Sequence, residues 1–190
     1  MTRYSDVTMS AGTRSDRGTR NDPSATPVDH WCIRVYRPED HPAVLRLYTE
    51  GLLHGQIDPG DTAADIDHIQ EAYFTNPRDR FWVAAVKDQV HGMIGVLQDE
   101  PHTAHVRRLR VDRNWQNTPI AQLLLETALT HCRHVGALKV VLDTPFEAAT
   151  ALPLFHRLGF LHTRTRRLRG RDYLEFYMDL YRAKKENTGG

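Results

Sequence analysis

The chain switches repeatedly between two spacings of apolar residues. Residues 31–37 (WCIRVYR) repeat with period two, the mark of a half-buried strand. Residues 38–54 change to helical spacing. Pro38, Glu39 and Asp40 fill the first turn, and Val44, Leu45, Leu47, Tyr48 and Leu52 make one apolar stripe. Asp58-Pro59-Gly60-Asp61 predicts a turn. Residues 62–75 predict a second helix that buries Ile66, Ile69, Tyr73 and Phe74. Period two returns in residues 80–87 and 90–98, and an Asp88-Gln89 turn joins these strands as a hairpin. Gly92 and Gly95 in the second of them predict a bulge or a close backbone approach.

Residues 105–135 organise the rest. The first part is a strand in which Leu109 and Val111 share one face and the arginines between them point the other way. A short polar loop follows, then a helix with Thr118 as N-cap and Pro119 at its first position. Ile120, Leu123, Leu124 and Ala128 recur at helical spacing and face a core, and Gly136 ends the helix. A strand that feeds a helix in this way creates a place for an anion, because the first amides and the helix dipole point into the gap. Residues 138–143 (LKVVLD) read as an interior strand, residues 147–158 as a helix ended by Gly159, and the remainder as a hairpin turning at Gly170. The expected fold class is α/β, with a mixed, mostly antiparallel central sheet flanked by helices. The strands ending near Val111 and starting near Leu138 should be parallel neighbours joined by a right-handed crossover.

Composition narrows the class. The 190 residues suit one domain at 31–181, with a disordered tail at 1–30 rich in Ser, Thr, Arg and Asp, and a frayed end at 182–190. A net charge of +1 selects neither nucleic acid nor membrane as the main partner. Cys32 and Cys132 form no disulfide framework or zinc motif, which points to a cytoplasmic setting. No apolar run is long enough to span a bilayer, and Asp6, Asp16 and Asp22 argue against a transit peptide. His131 and His134, and likewise His102 and His105, are spaced by three, but no carboxylate–histidine motif accompanies either pair, so no metal is expected.

Three stretches carry a resemblance: LRVDRNWQNTPIAQLLLETAL, the VVLDT strand and ALPLFHRLGF. With the element order, they resemble the GNAT superfamily of N-acetyltransferases over residues 31–180, and the opening IRVYRPEDHPAVLRLYTEGLLHG looks most like its camello-like branch. The resemblance implies the GNAT-like (acyl-CoA N-acyltransferase) fold and acetyl-CoA as acetyl-donor cosubstrate. It also implies direct transfer to a primary amine on a small molecule, peptide or lysine, within a ternary complex. The strand residues Leu109, Arg110 and Val111 would meet the pantetheine arm. Gln116, Asn117, Thr118, Ile120, Ala121 and Gln122 would surround the pyrophosphate.

The chain departs from the family pattern at two places. Pro119 stands where the first glycine of the loop belongs, and proline has no N–H to offer. Phe155 stands where many members place a tyrosine that reprotonates the departing thiolate; it joins the expected cofactor-binding set without a proton to give. His156 or Tyr173 could serve instead, or water. His105 occupies a position where some members carry a carboxylate base, and imidazole changes charge near neutral pH, so it is the expected general base ahead of Glu100, Asp143 and Tyr177.

Arg164, Arg166, Arg167, Arg169 and Arg171 form a basic arm, read as a charged edge strand and, functionally, as a contact for an acidic acceptor or the CoA 3′-phosphate. A competing reading is a non-catalytic acyl-CoA-binding or protein-interaction domain of the same fold. The last strand offers an edge to a homodimer.

Overall fold

The computed structural model describes residues 31–50, 61–145, 151–168 and 170–181. The expected tail, the frayed C-terminus, the Asp58-Pro59-Gly60 part of the first turn, Leu52, Arg169 and the start of the helix expected at 147 lie outside these residues.

Seven strands form one sheet: β1 (Cys32–Val35), β2 (Arg80–Val86), β3 (Gln89–Glu100), β4 (Thr103–Val111), β5 (Lys139–Pro145), β6 (Leu161–Leu168) and β7 (Arg171–Asp179). Their order is β1-β2-β3-β4-β5-β7-β6, antiparallel throughout except for parallel β4 and β5. A short 3-10 turn, Pro38–Asp40, leads into α1 (His41–Glu50). The helix expected over 62–75 is divided into α2 (Ala64–Asp67) and α3 (Ile69–Phe74), because His68 leaves the helical region at φ −125°, ψ 50°. Helices α4 (Ile120–His134) and α5 (Leu152–Arg157) complete the fold.

Two cores lie on opposite faces of the sheet. Ile120, Leu124, Leu125 and Ala128 of α4 and Phe155 of α5 pack with Ile94, Val106, Leu109, Val111 and Phe176 on one face. Val44, Leu47 and Tyr48 of α1, Ile66 of α2, and Ile69 and Tyr73 of α3 pack with Phe81, Val83 and Met93 on the other. Both interior glycines of β3 mark close approaches. A Cβ on Gly92 would meet Ile120 Cγ2 at 2.8 Å, and one on Gly95 would meet the Tyr73 ring at 2.6 Å.

Three expectations change in detail. The β2–β3 turn is centred on Lys87 and Asp88, both at positive φ, one residue earlier than Asp88-Gln89, as a two-residue hairpin loop of the primed type requires. Leu45 is exposed, because three buried positions already fill the inward stripe of α1. Helix α4 starts at Ile120 with Pro119 as N-cap: the Thr118 hydroxyl donates back to the Trp115 carbonyl and does not cap forward. No helix among the described residues is long and apolar enough to cross a membrane.

Candidate active site

Strands β4 and β5 pair only over Thr103↔Lys139 to Val106↔Leu142. Beyond that point both strands continue, β4 through residues 107–111 and β5 through residues 143–145, without pairing with each other. On its other side β4 is still held by β3 as far as Val111, and β5 by β7 as far as Pro145. The result is a wedge in the middle of the sheet whose edges carry main-chain groups that the ladder does not use.

The parting begins beside a bulge in β4. Gly95 faces Arg107 and Met93 faces Arg110, so between these pairs one residue of β3, Ile94, opposes two of β4, Arg108 and Leu109. The extra residue, Arg108, has φ 58°, a left-handed conformation that costs energy for any side chain but glycine. Its guanidinium is held from across the face by Asp61 and Asp65: Nε lies 2.9 Å from Asp65 Oδ2 and Nη2 2.9 Å from Asp61 Oδ1. Two further ion-pair contacts join the same groups, the Tyr73 hydroxyl donates to Asp65 at 2.6 Å, and the guanidinium lies 5.3 Å from the Tyr48 ring centre. Burial alone would raise the Asp61 carboxyl, but Arg108 and the Ala63 amide outweigh it and hold the group at about 2.

At the far end of β4, Asp112 accepts from the Asn114 amide and from Arg46 Nη1 at 3.0 Å, turning the chain into the loop before α4. Trp115 packs edge-on against Trp31 at 4.5 Å and lies tilted against His91 at 4.7 Å. At the start of α4 the Leu123 amide bonds to the Pro119 carbonyl at 2.9 Å, and no side chain caps the helix. The amides of Ile120, Ala121 and Gln122 therefore head an uncapped helix beside Gln116, Asn117 and Thr118. That end suits a phosphate group: converging N–H donors, a favourable dipole and no competing side-chain carboxylate as cap.

The remaining sequence-expected residues differ in how they meet this wedge, and Glu100, paired with Thr103 at the start of β4, lies at the other end of the strand. Leu109 and Val111 turn their side chains into the α4 core, leaving only their main chains for a ligand. Phe155 is 1% exposed and packs against Phe160 and Phe176, so it backs the β5–β7 wall from within the core. His105 lies opposite Leu97 and therefore on the α1–α3 face, just before the wedge opens. Asp143, the first residue of β5 past the last β4 pair, points to the same face, since its neighbour Leu142 enters the other core.

Packing raises the Asp143 carboxyl above the ordinary range, although 46% of its side chain meets solvent; Arg166, which bonds it at 2.9 Å, and His105 act in the opposite sense. The sequence puts His105 ahead of Asp143 as base; the strand register brings the two to the same end of the wedge. Arg164 and Arg166 are tied to Glu175, so part of the basic arm is neutralised within its own hairpin. His131 is buried, with Nε2 2.8 Å from the Arg78 carbonyl and its ring against Trp82, in the core rather than at the wedge.

Comparison with known proteins agrees with this geometry. The family model described as Acetyltransferase (GNAT) family matches residues 41–160. N-acetyltransferase 8 of Homo sapiens is 32% identical over 104 residues, covering 52% of this chain and 46% of that protein. Probable N-acetyltransferase camello of Xenopus tropicalis is 27% identical over 122 residues, covering 62% of this chain and 56% of that protein. The chain thus spans about half the length of these curated relatives. Among solved structures, yncA, a putative acetyltransferase from Salmonella typhimurium with its cofactor acetyl-CoA, superposes with a TM-score of 0.67 at 20% identity, over 79% of this chain and 94% of that one.

Proposed function

The chain belongs to the acetyltransferase (GNAT) family, and from that premise we propose that it is an acetyl-CoA-dependent N-acetyltransferase acting on a primary amine. The observation that carries the reading is the parting of β4 from β5 beyond Val106 and Leu142, next to the uncapped start of α4. Acetyl-CoA would supply an acetyl group activated as a thioester. The amides of Ile120, Ala121 and Gln122 would hold its pyrophosphate, bordered by Gln116, Asn117 and Thr118. The main chain of Leu109, Arg110 and Val111 would bond its pantetheine arm much as a neighbouring strand would.

The chain's own groups account for the proton balance. A neutral amine forms the new C–N bond at the thioester carbonyl while the C–S bond breaks. The proton lost by nitrogen passes to His105 or Asp143, directly or through water. A main-chain N–H at the end of β4 near Val111 would donate to the carbonyl oxygen as it gains charge. Phe155 has no proton to return to the thiolate, so solvent supplies it. The two departures from the family pattern, Phe155 and Pro119, favour a second reading, a non-catalytic domain that binds acyl-CoA or a protein partner.

A CoA titration run beside a thiol-release screen against amines tests both. Binding with amine-dependent release is expected. No acetyl-CoA binding at millimolar concentration would overturn the proposal, and tight binding with no release across the panel would favour the second reading. The base has its own check. His105→Ala should lower kcat/KM by about 10²-fold or more and flatten the rise of rate with pH. An unaltered pH–rate profile removes His105 from that role and leaves Asp143→Asn as the next variant to measure.

A further inference from the structure

A second bulge lies in β3, beside the loop that leads into α4. Adjacent residues Ala84 and Ala85 of β2 face Gly92 and Val90, so His91 is the extra residue between them. Its main chain is tied in, because its carbonyl accepts from the Asp112 amide at 2.8 Å. Its side chain is 14% exposed and unevenly satisfied. Nδ1 is buried without a hydrogen bond and stops 3.7 Å short of Asp112 Oδ2. That gap is too long for a hydrogen bond, and an unpaired buried nitrogen is costly. The ring meanwhile lies against that of Trp115, with 4.7 Å between centres.

These contacts converge on the phosphate end of the wedge. Asp112 caps the turn at 113–115 by accepting from the Asn114 amide, and Arg46 of α1 donates to its Oδ2 at 3.0 Å. The Trp115 carbonyl accepts from the Thr118 amide at 3.2 Å and from the Thr118 hydroxyl. Pro119 and the free amides of α4 follow directly. Next to His91, the missing side chain of Gly92 lets Ile120, the first residue of α4, pack onto β3. The charged groups around the imidazole are mostly acidic. Glu39 and Asp40 before α1, Asp88 of the hairpin turn and Arg46 line one cavity with it, and Asp112 faces Nδ1. Asp40 is already held by Arg34. Burial would raise the Asp112 carboxyl, but the Asn114 amide and Arg46 outweigh it, so it is an anion at neutral pH.

We propose that His91 is a positioning residue for acetyl-CoA, and that its protonated form holds the 112–119 loop in the arrangement that binds the pyrophosphate. This rests on the acetyltransferase reading above. A proton on Nδ1 turns the 3.7 Å approach into an ion pair with Asp112 and gives the unpaired nitrogen its partner. The same proton sets a cation against the Trp115 ring. Both changes tighten the two residues from which the loop is hung, Asp112 by its carboxylate and Trp115 by its ring and carbonyl. Because the charged form binds better, binding of the cofactor draws a proton from solution.

The experiment is calorimetric titration with acetyl-CoA at about pH 6 and about pH 8, the range over which imidazoles change charge, on the wild type and His91→Phe. Phenylalanine keeps a ring against Trp115 and never charges. The wild-type Kd should fall about fivefold more than that of the variant between the higher and the lower pH, the low end of ordinary coupling between sites. Reading one protein against the other cancels the cofactor's own 3′-phosphate, which titrates in the same range. Repeating the titration in buffers of unlike ionisation enthalpy should show more proton uptake by the wild type than by the variant. His91→Gln, also uncharged there, makes the same comparison if the phenylalanine variant does not fold. A pH response equal in wild type and variant overturns the proposal. So does a wild-type Kd for acetyl-dephospho-CoA, which lacks the titrating phosphate, that is no tighter at the lower pH, even if neither variant folds. Absence of acetyl-CoA binding at both pH values would sink the acetyltransferase reading and this inference with it, whereas binding without the pH response sinks this inference alone.

Discussion

At the scale of single residues, charge is placed here with a purpose that composition hides. A net charge of +1 conceals three arginines of one strand in three situations: Arg107 exposed, Arg108 locked between two aspartates, and Arg110 half-buried and bonded to the Leu109 carbonyl. The Arg108 cluster makes a stability prediction with a definite sign. Asp61 titrates at about 2 in the folded chain, below the roughly 3.9 of an unfolded aspartate. Its contribution is thus complete above about pH 4 and is lost as pH falls towards 2. Asp61→Asn should cost about 2 kcal/mol at pH 7, and its urea midpoint should fall less than that of the wild type between pH 4 and 2. Equal slopes for the two proteins would show that Arg108 does not depend on Asp61. None of this cluster is legible from the sequence, because its members are brought together across 47 positions by the packing of α2 on the sheet.

At the scale of elements, the instructive one is α4. Its apolar spacing, its end at Gly136 and its role after a strand are all written in the chain, since an amphipathic helix needs only its own period and caps. Its first turn is less legible. Threonine followed by proline reads as N-cap and first position, yet Thr118 bonds back to Trp115 and Pro119 becomes the cap. The loop between Asp112 and Pro119 is pulled tight by local bonds that compete with capping. Pro119→Gly tests what this costs the site. It returns one N–H to the cradle, so acetyl-CoA should bind up to tenfold more tightly, read as Kd by calorimetry. The helix itself should lose a few tenths of a kcal/mol to about 1 kcal/mol, because glycine gives the unfolded chain more freedom. An unchanged or weaker Kd would mean that this amide does not face the phosphate.

At the scale of the whole molecule, two cores clamp a sheet that is continuous at one end and parted at the other. Hydrogen exchange should read this directly. Amides over Thr103–Val106 and Lys139–Leu142 that bond across the β4–β5 pair should be protected in the free protein. Those on the facing edges at 107–111 and 143–145 should exchange faster and become protected when acetyl-CoA is added; protection equal to that of the paired segment without ligand would mean there is no wedge.

The chain alone determined the element types, the mixed sheet with parallel strands around α4, and the strand–loop–helix that marks the family. These follow from local periods and short-range bonding, which each segment carries with it. Only the tertiary structure decided how far β4 and β5 stay paired, that the bulge at Arg108 is pinned by Asp61 and Asp65, and that Asp143 joins His105. Register and burial are properties of partners distant in sequence, and no window of one chain contains both sides of a gap.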